Sequence, residues 1–391
     1  MNTMPARSLA FALCLITCAV NLPAPLYPAY AQLSGVGNGA TALAFASYVI
    51  GVIPVLLLLG GLADRLGRKR LIATALILVA GATTLLMVAP GMTSLATARC
   101  LLGLGTGLAS ATGLAYMQEL MPQAPGQAAA WVASSTSVGF GLGAALTSLC
   151  LFARPSLAPP SYWLELGLVG VALALLWRLP GRAPGRDAPM LKLPGYPVGT
   201  VLPGLAILLA WATVGVVIAL LPSVLNLHGL ALWSGFSTFT VISCGLLFQP
   251  LARRMLPTHS VALGLAILPP SYGLIAWGAL QGQLAWVLVG TVLASSACYG
   301  FIYLGGLATV AERAGAEKTR ASAGFFLLAY LGFSVPVVLT GALADRFGSS
   351  VALGSFGLSL AACAVLLLAC LLRQKQRLSV ETRQARQERA T

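Results

Sequence analysis

The sequence is short of charge, and of negative charge most of all. Only 8% of its 391 residues are Asp, Glu, Lys or Arg, and nine of them are acids, against roughly 25% charged residues in soluble proteins. With 58% hydrophobic residues, that deficit excludes a string of soluble domains. Histidine is nearly absent too: His228 and His259 lie near loop ends and form no metal-ligand cluster. The chain has no P-loop string and no polar stretch long enough for a soluble nucleotide-binding domain, so ATP is not expected to drive it directly, and no cofactor is expected. Cysteine is present, but Cys14, Cys18, Cys100, Cys150, Cys244, Cys298, Cys363 and Cys370 all fall inside or at the edge of apolar runs. They read as small buried hydrophobes rather than disulfides. Cys14 with Cys18 and Met117 with Met121, each pair four apart on a helix face, could pass a soft metal, but core packing is the stronger reading.

What is abundant is apolar sequence in long runs. A bilayer core about 30 Å thick needs roughly 20 apolar residues per spanning helix. Breaks rich in charge, Pro or Gly separate twelve such runs, at about 8–30, 40–62, 70–89, 94–118, 127–152, 161–179, 199–224, 231–250, 258–280, 283–311, 320–343 and 350–372. The first, with Arg7 before it and Ala29-Tyr30-Ala31 near its end, also has the outline of a secretory signal and its cleavage site. Pro23, Pro25 and Pro28 fit a kinked spanning helix better, and the two-halves symmetry described below needs it.

An even span count puts both termini on one side of the membrane. Of the 23 Lys and Arg, 20 lie on that side: Arg7, residues in or bordering the loops after even-numbered spans, and the tail from Arg373. The other side has only Arg154 and Arg346, while Arg99 lies within a span. By the positive-inside rule both termini are expected in the cytoplasm, in a multi-pass protein of the cytoplasmic (inner) membrane. The net charge of +14 is then a consequence of topology and calls for no nucleic acid. The charged, Gln-rich tail reads as a solvated or lipid-facing helix.

The longest polar break, Arg178 to Lys192, follows span six. It divides the chain into a six-helix bundle at 1–178, a cytoplasmic linker at 179–198, a second bundle at 199–372 and a tail at 373–391. The halves echo each other: Glu119 closes span four as Glu312 closes span ten, each after a Gly-rich helix. The expected fold is an all-α membrane protein of twelve transmembrane helices in two pseudo-symmetric six-helix bundles, with a ligand site between them.

The richest stretch joins spans two and three: Gly60-Gly61-Leu62-Ala63-Asp64-Arg65-Leu66-Gly67-Arg68-Lys69-Arg70. Small Gly60 and Gly61 let helices approach, Gly67 permits a tight turn, and the cations hold the loop inside. Asp64 is the odd group, because an acid at a helix C-terminal end is disfavoured by that helix's own dipole and needs a positive partner elsewhere. The string resembles the loop 2–3 signature of the major facilitator superfamily, G-x-L-A-D-R-x-G-R-K. The resemblance implies that Asp64 meets the backbone at the start of span eleven, near 319–322, that Arg68 meets Glu119, and that the cluster, Arg65 included, holds an outward-facing state. A second copy of the pattern at Gln249-Pro250-Leu251-Ala252-Arg253-Arg254 lacks the acid and the turn glycine.

Arg99 opens Arg99-Cys100-Leu101-Leu102-Gly103-Leu104-Gly105, similar to the superfamily's span-four motif R-x-x-x-G-x-G. A cation within a span is costly and marks a functional candidate unless it snorkels to the nearby surface. Span five carries Ser135, Gly139, Phe140, Gly141, Gly143 and Ala144, a partial likeness to the antiporter motif in which Phe140 stands for the central Pro. Glu165, near the start of span six, is a further candidate proton site. Cavity candidates are Asn21, Tyr27, Tyr48, Trp211 and Tyr299, amides and aromatics in otherwise apolar helices. Span one has no acid to receive a cation, and Arg99 has no acidic neighbour in sequence. The expected function is therefore secondary transport, with a small anionic or neutral amphiphile as substrate, a proton as coupling ion, membrane lipids around a monomer, and export as the direction. The alternative is an importer or facilitator of a metabolite or siderophore-like ligand.

Overall fold

In the computed structural model the described residues are 4–58, 65–181 and 193–388, with side chains described throughout except at 58, 316, 319 and 374–388. Twelve helices long and apolar enough to cross a membrane are found among them. They are α1 (Met4–Ser34), α2 (Asn38–Leu57), α3 (Arg68–Val88), α4 (Met92–Leu120), α5 (Pro125–Ala153), α6 (Pro160–Trp177), α7 (Val201–Asn226), α8 (Ala231–Ala252), α9 (Pro257–Leu280), α10 (Leu284–Arg313), α11 (Arg320–Phe347) and α12 (Ser349–Arg373). The face that carries both chain ends is called the terminal face below, and the opposite one the far face.

Proline shapes the first helix. Pro23 and Pro25 have no N–H to donate, so the α-helix begun at Met4 stops at Asn21, tightens into a 3₁₀ turn at Ala24–Leu26 and resumes at Tyr27–Ser34. The break leaves carbonyls at the end of the first segment without their usual partners. In α10 a π turn at Ser296–Ile302 interrupts the regular ladder, a local widening of the kind that often marks functional positions.

Burial orders the helices from centre to rim. The apolar stretch of α1 is 89% buried and that of α7 78%, whereas that of α12 is 11% buried and faces lipid. Within the first half α1 packs on α5 and α4 on both α2 and α3; within the second, α7 packs on α11 and α9 on α10. Two seams join the halves, α2 with α11 and α5 with α8. These pairs exchange under the six-helix repeat, so the halves meet with pseudo-two-fold symmetry.

Both seams are tight toward the far face. Phe152 of α5 lies edge-on to Trp233 of α8, with ring centroids 5.4 Å apart, and the Ser243 hydroxyl donates to the Ser137 carbonyl at 2.9 Å. Toward the terminal face the α5–α8 seam parts: the buried residues of α5 run from Gly139 to Leu151, and before Gly139 only Ala128 is buried.

Close backbone contact makes the first half rigid. A Cβ at Gly103 of α4 would collide with the Tyr48 carbonyl of α2, and one at Gly51 with the Cys100 carbonyl of α4. Gly103→Ala is expected to cost about 1–3 kcal/mol by overpacking and to lower the unfolding temperature in detergent. Gly81→Ala, with open space around it, is expected to leave that temperature equal or slightly higher. Equal temperatures for both variants would contradict the close α2–α4 approach.

Candidate functional site

Arg99 has no solvent exposure and, among the described residues, no ion pair with a carboxylate. Its compensation comes from backbone and rings. Nη1 donates to the Val20 carbonyl at 2.8 Å and Nε to the Phe45 carbonyl at 3.4 Å. Val20 is the penultimate residue of the α1 segment that the prolines end, so its carbonyl belongs to the negative pole of that helix. The guanidinium also lies 4.4 Å from the Phe45 ring centroid and 5.1 Å from that of Tyr48, within cation–π range. A residue snorkelling to the surface would be exposed; Arg99 turns inward instead.

One nitrogen of the guanidinium makes no bond. Nη2 of Arg99 has no hydrogen-bond partner among the described residues, and neither has the Tyr27 hydroxyl, which is close enough to interact electrostatically with Arg99. Asn21 ties α1 to α5 through Nδ2, which donates to the Phe140 carbonyl at 2.8 Å, while its Oδ1 is unpartnered. Buried polar atoms are ordinarily satisfied, and such a group within one region is the usual mark of a ligand or water site.

Around Arg99 the two halves meet in aromatic rings. Phe45 and Tyr48 of α2 face Tyr330 and Phe333 of α11: Phe45 is 4.7 Å from Phe333 and Tyr48 is 6.3 Å from Tyr330, between centroids. Trp211 of α7 closes the group edge-on to Tyr330 at 5.1 Å, its indole N–H unpartnered. The Tyr48 hydroxyl accepts from Thr106 of α4 at 2.9 Å. Tyr299, in the π turn of α10, lies close enough to interact with Tyr48. Tyr48, Arg99, Trp211 and Tyr299 thus gather at the junction, with Tyr27 beside Arg99. Asn21 faces α5 on the near side of the α1 break.

Glu165 takes a different position. It is 1% exposed, lies against the Cys18 thiol, and keeps one carboxylate oxygen unpartnered. Its surroundings are Cys14 and Cys18 of α1, inside the first half. No ion pair joins it to Arg99 among the described residues.

At the terminal face Arg68 Nη1 is 2.7 Å from Glu119 Oε1 and donates to the Ala115 carbonyl at 3.0 Å. Both partners belong to the first half, so this pair fixes the α2–α3 turn to α4 and does not itself join the halves. Gly67 has φ +85°, a conformation that only glycine adopts readily. Arg65 is exposed. Gly60 and Asp64 lie outside the described residues. Cys18, Met117 and Met121 are buried, and no three His, Cys, Asp or Glu converge on a metal position among the described residues.

Residues 9–335 match the family described as Major Facilitator Superfamily. The chain belongs to that superfamily. It is accordingly a multi-pass membrane transporter and not an enzyme. The comparison with curated proteins gives no match. Among solved structures the fold is similar to that of the nucleoside transporter NupG, at 12% identity over 95% of this chain and 99% of that one, with a TM-score of 0.73. A D-xylose-proton symporter gives 19% identity over 93% and 96%, with a TM-score of 0.67. The human organic anion transporter MFSD10 gives 18% over 93% and 99%, with a TM-score of 0.59. At these identities the likeness is one of fold.

Sequence reasoning missed Phe45, Tyr330 and Phe333, and the Val20 carbonyl. The spacing held a signal: Phe45 with Tyr48 and Tyr330 with Phe333 are i,i+3 pairs, each on one helix face. Nothing in the residue types announces a carbonyl as the partner of Arg99. Arg99→Met keeps length and removes every donor, so it is expected to cost about 1–3 kcal/mol and to lower the unfolding temperature in detergent. A variant as stable as the unaltered protein would show that the Val20 and Phe45 bonds do no more than offset the cost of burying the guanidinium.

Proposed function

We propose that the protein exports a small organic anion or neutral amphiphile across the cytoplasmic membrane by alternating access, coupled to proton entry. The observation that carries this reading is the unpartnered Nη2 of Arg99 at a junction of rings drawn from both halves. A carboxylate or other oxyanion would complete the guanidinium's bonds, with the Tyr27 hydroxyl as a second donor. The rings of Tyr48, Trp211, Tyr330 and Phe333 offer faces and edges to an apolar body. Because these groups come from α2, α7 and α11, a ligand held there would touch both halves and could bias their relative position.

Glu165 is assigned the proton. It is buried, acidic and apart from Arg99, so it can change charge without contesting the anion. Its place against α1, whose break supplies the Arg99 contact, gives the two sites a common element. The terminal face is assigned to the cytoplasm from the cation distribution, which makes the described conformation an inward-facing one.

The test is flux into proteoliposomes under an imposed pH gradient, using an aromatic carboxylate, its amide and a matched amine. Transport of the carboxylate or amide but not the amine is expected, with direction reversing as the gradient is reversed. Arg99→Lys keeps charge and loses the planar fork, so carboxylate flux should fall nearly as far as with Arg99→Ala, by tenfold or more. Glu165→Gln should abolish the dependence on the gradient while exchange persists. Preference for the amine, or flux indifferent to Arg99, would overturn the substrate assignment.

A further inference from the structure

The string of the α2–α3 loop occurs a second time, at the other end of the partner helix. Gly60-Gly61-Leu62-Ala63-Asp64-Arg65-Leu66-Gly67 and Gly341-Ala342-Leu343-Ala344-Asp345-Arg346-Phe347-Gly348 are identical at six of eight positions. The first joins α2 to α3 in sequence, and its described end, from Arg65 to Gly67, stands at the terminal face. The second ends α11 and stands at the far face. Their closing glycines adopt nearly the same conformation, Gly67 with φ +85° and Gly348 with φ +87°, and each passes directly into the next helix.

Asp345 shows what the acid of this string can do. Its Oδ1 accepts from the Asn38 N–H at 2.7 Å and its Oδ2 from the Gly39 N–H at 2.8 Å. These are the first N–H groups of α2, which carry the positive pole of that helix and have no partner within it. The carboxylate sits at the C-terminal end of α11, where its own helix disfavours it, and it is satisfied across the seam between the halves. The seam is shaped to admit it: a Cβ at Gly37 or Gly39 would collide with the carboxylate, and one at Gly341 with Ala42 and the Asn38 carbonyl.

We infer that Asp345 is a positioning residue of the transport cycle, a far-face latch that holds α11 to the start of α2 and must let go before that face opens. Helices α2 and α11 run antiparallel, so each places its C-terminal end beside the other's N-terminus. The far-face contact joins residues of opposite halves, unlike the Arg68–Glu119 pair, and so it breaks whenever the halves part on that side. The resemblance of the α2–α3 string implies the same role for Asp64 at the terminal end of this helix pair, so the closing of one face accompanies the release of the other. This inference rests on the alternating-access part of the proposed function and is independent of substrate and coupling ion.

The experiment reads conformation without substrate. Ser148 of α5 is buried against Gly235 of α8, at the seam away from Asp345. In the full chain carrying Ser148→Cys, labelling by a membrane-impermeant maleimide added at the far face is measured at that peptide by mass spectrometry. Asp345→Asn is expected to raise the labelling rate about tenfold, and Gly37→Ala, which displaces the carboxylate, to raise it in the same direction. Arg346→Ala should leave it unchanged. Asp64→Asn should lower it, and adding Asp64→Asn to Asp345→Asn should bring the rate back toward that of the parent. Monodisperse elution with an unchanged unfolding temperature separates a shifted equilibrium from a damaged fold. Unchanged labelling in both Asp345→Asn and Gly37→Ala overturns the latch, whatever the flux assay finds; altered labelling without flux of any compound upholds it and counts against the substrate assignment alone.

Discussion

A guanidinium buried between helices, without a carboxylate to answer it, is the constraint around which the first half of this transporter is arranged. An Arg at a span centre costs about 2.5–3.5 kcal/mol on insertion scales, so the surroundings must return most of that. They do so with a helix end. Pro23 and Pro25 stop α1 at Asn21, and the Val20 carbonyl turns to Arg99. The glycines of α4 serve the same end, since Gly103 lets α4 lie close enough to α2 for Phe45 and Tyr48 to cover the guanidinium. A carboxylate partner would have neutralised Arg99 permanently. Carbonyls and ring faces compensate it while leaving a donor available.

The second half contributes the other wall. Trp211, Tyr330 and Phe333 meet the α2 rings across the seam, so the region around Arg99 is also where the halves touch. From there to the far face the seams hold, through Ser243 with Ser137, Trp233 with Phe152 and Asp345 with the start of α2. Ligand chemistry and the closure of one face are therefore carried by the same two pairs of helices. Local changes of charge or contact there act directly on the relation between the halves.

Much of the fold was legible because lipid leaves few alternatives. Length and hydropathy placed all twelve spans, and α5 and α8 began and ended within two residues of expectation, at Pro125–Ala153 and Ala231–Ala252. The three prolines of α1 foretold its break. The π turn of α10 was not foreseen, since no residue type in Ser296–Ile302 demands one. Of the site, Arg99 and the aromatic candidates could be picked out because polar or aromatic groups stand out against apolar helices. Their partners could not, because backbone carbonyls are the same at every position and cross-helix ring contacts depend on helical phase. Asp345 fell between the runs at 320–343 and 350–372 and was not picked out, although its neighbours repeat the α2–α3 string. The repeat lies on a helix of opposite direction, where a comparison of half with half does not look for it.

The central claim is that Arg99 offers its spare donor to an anion at the junction of the halves. Equilibrium binding tests it most directly: an aromatic carboxylate and its amide are titrated against the purified protein, following the part of the tryptophan fluorescence that Trp211→Phe removes. The account predicts that the carboxylate binds at least about tenfold more tightly than the amide, a difference of about 1.4 kcal/mol, and that Arg99→Gln erases the difference. Equal affinities, or a preference that survives the loss of Arg99, would contradict it.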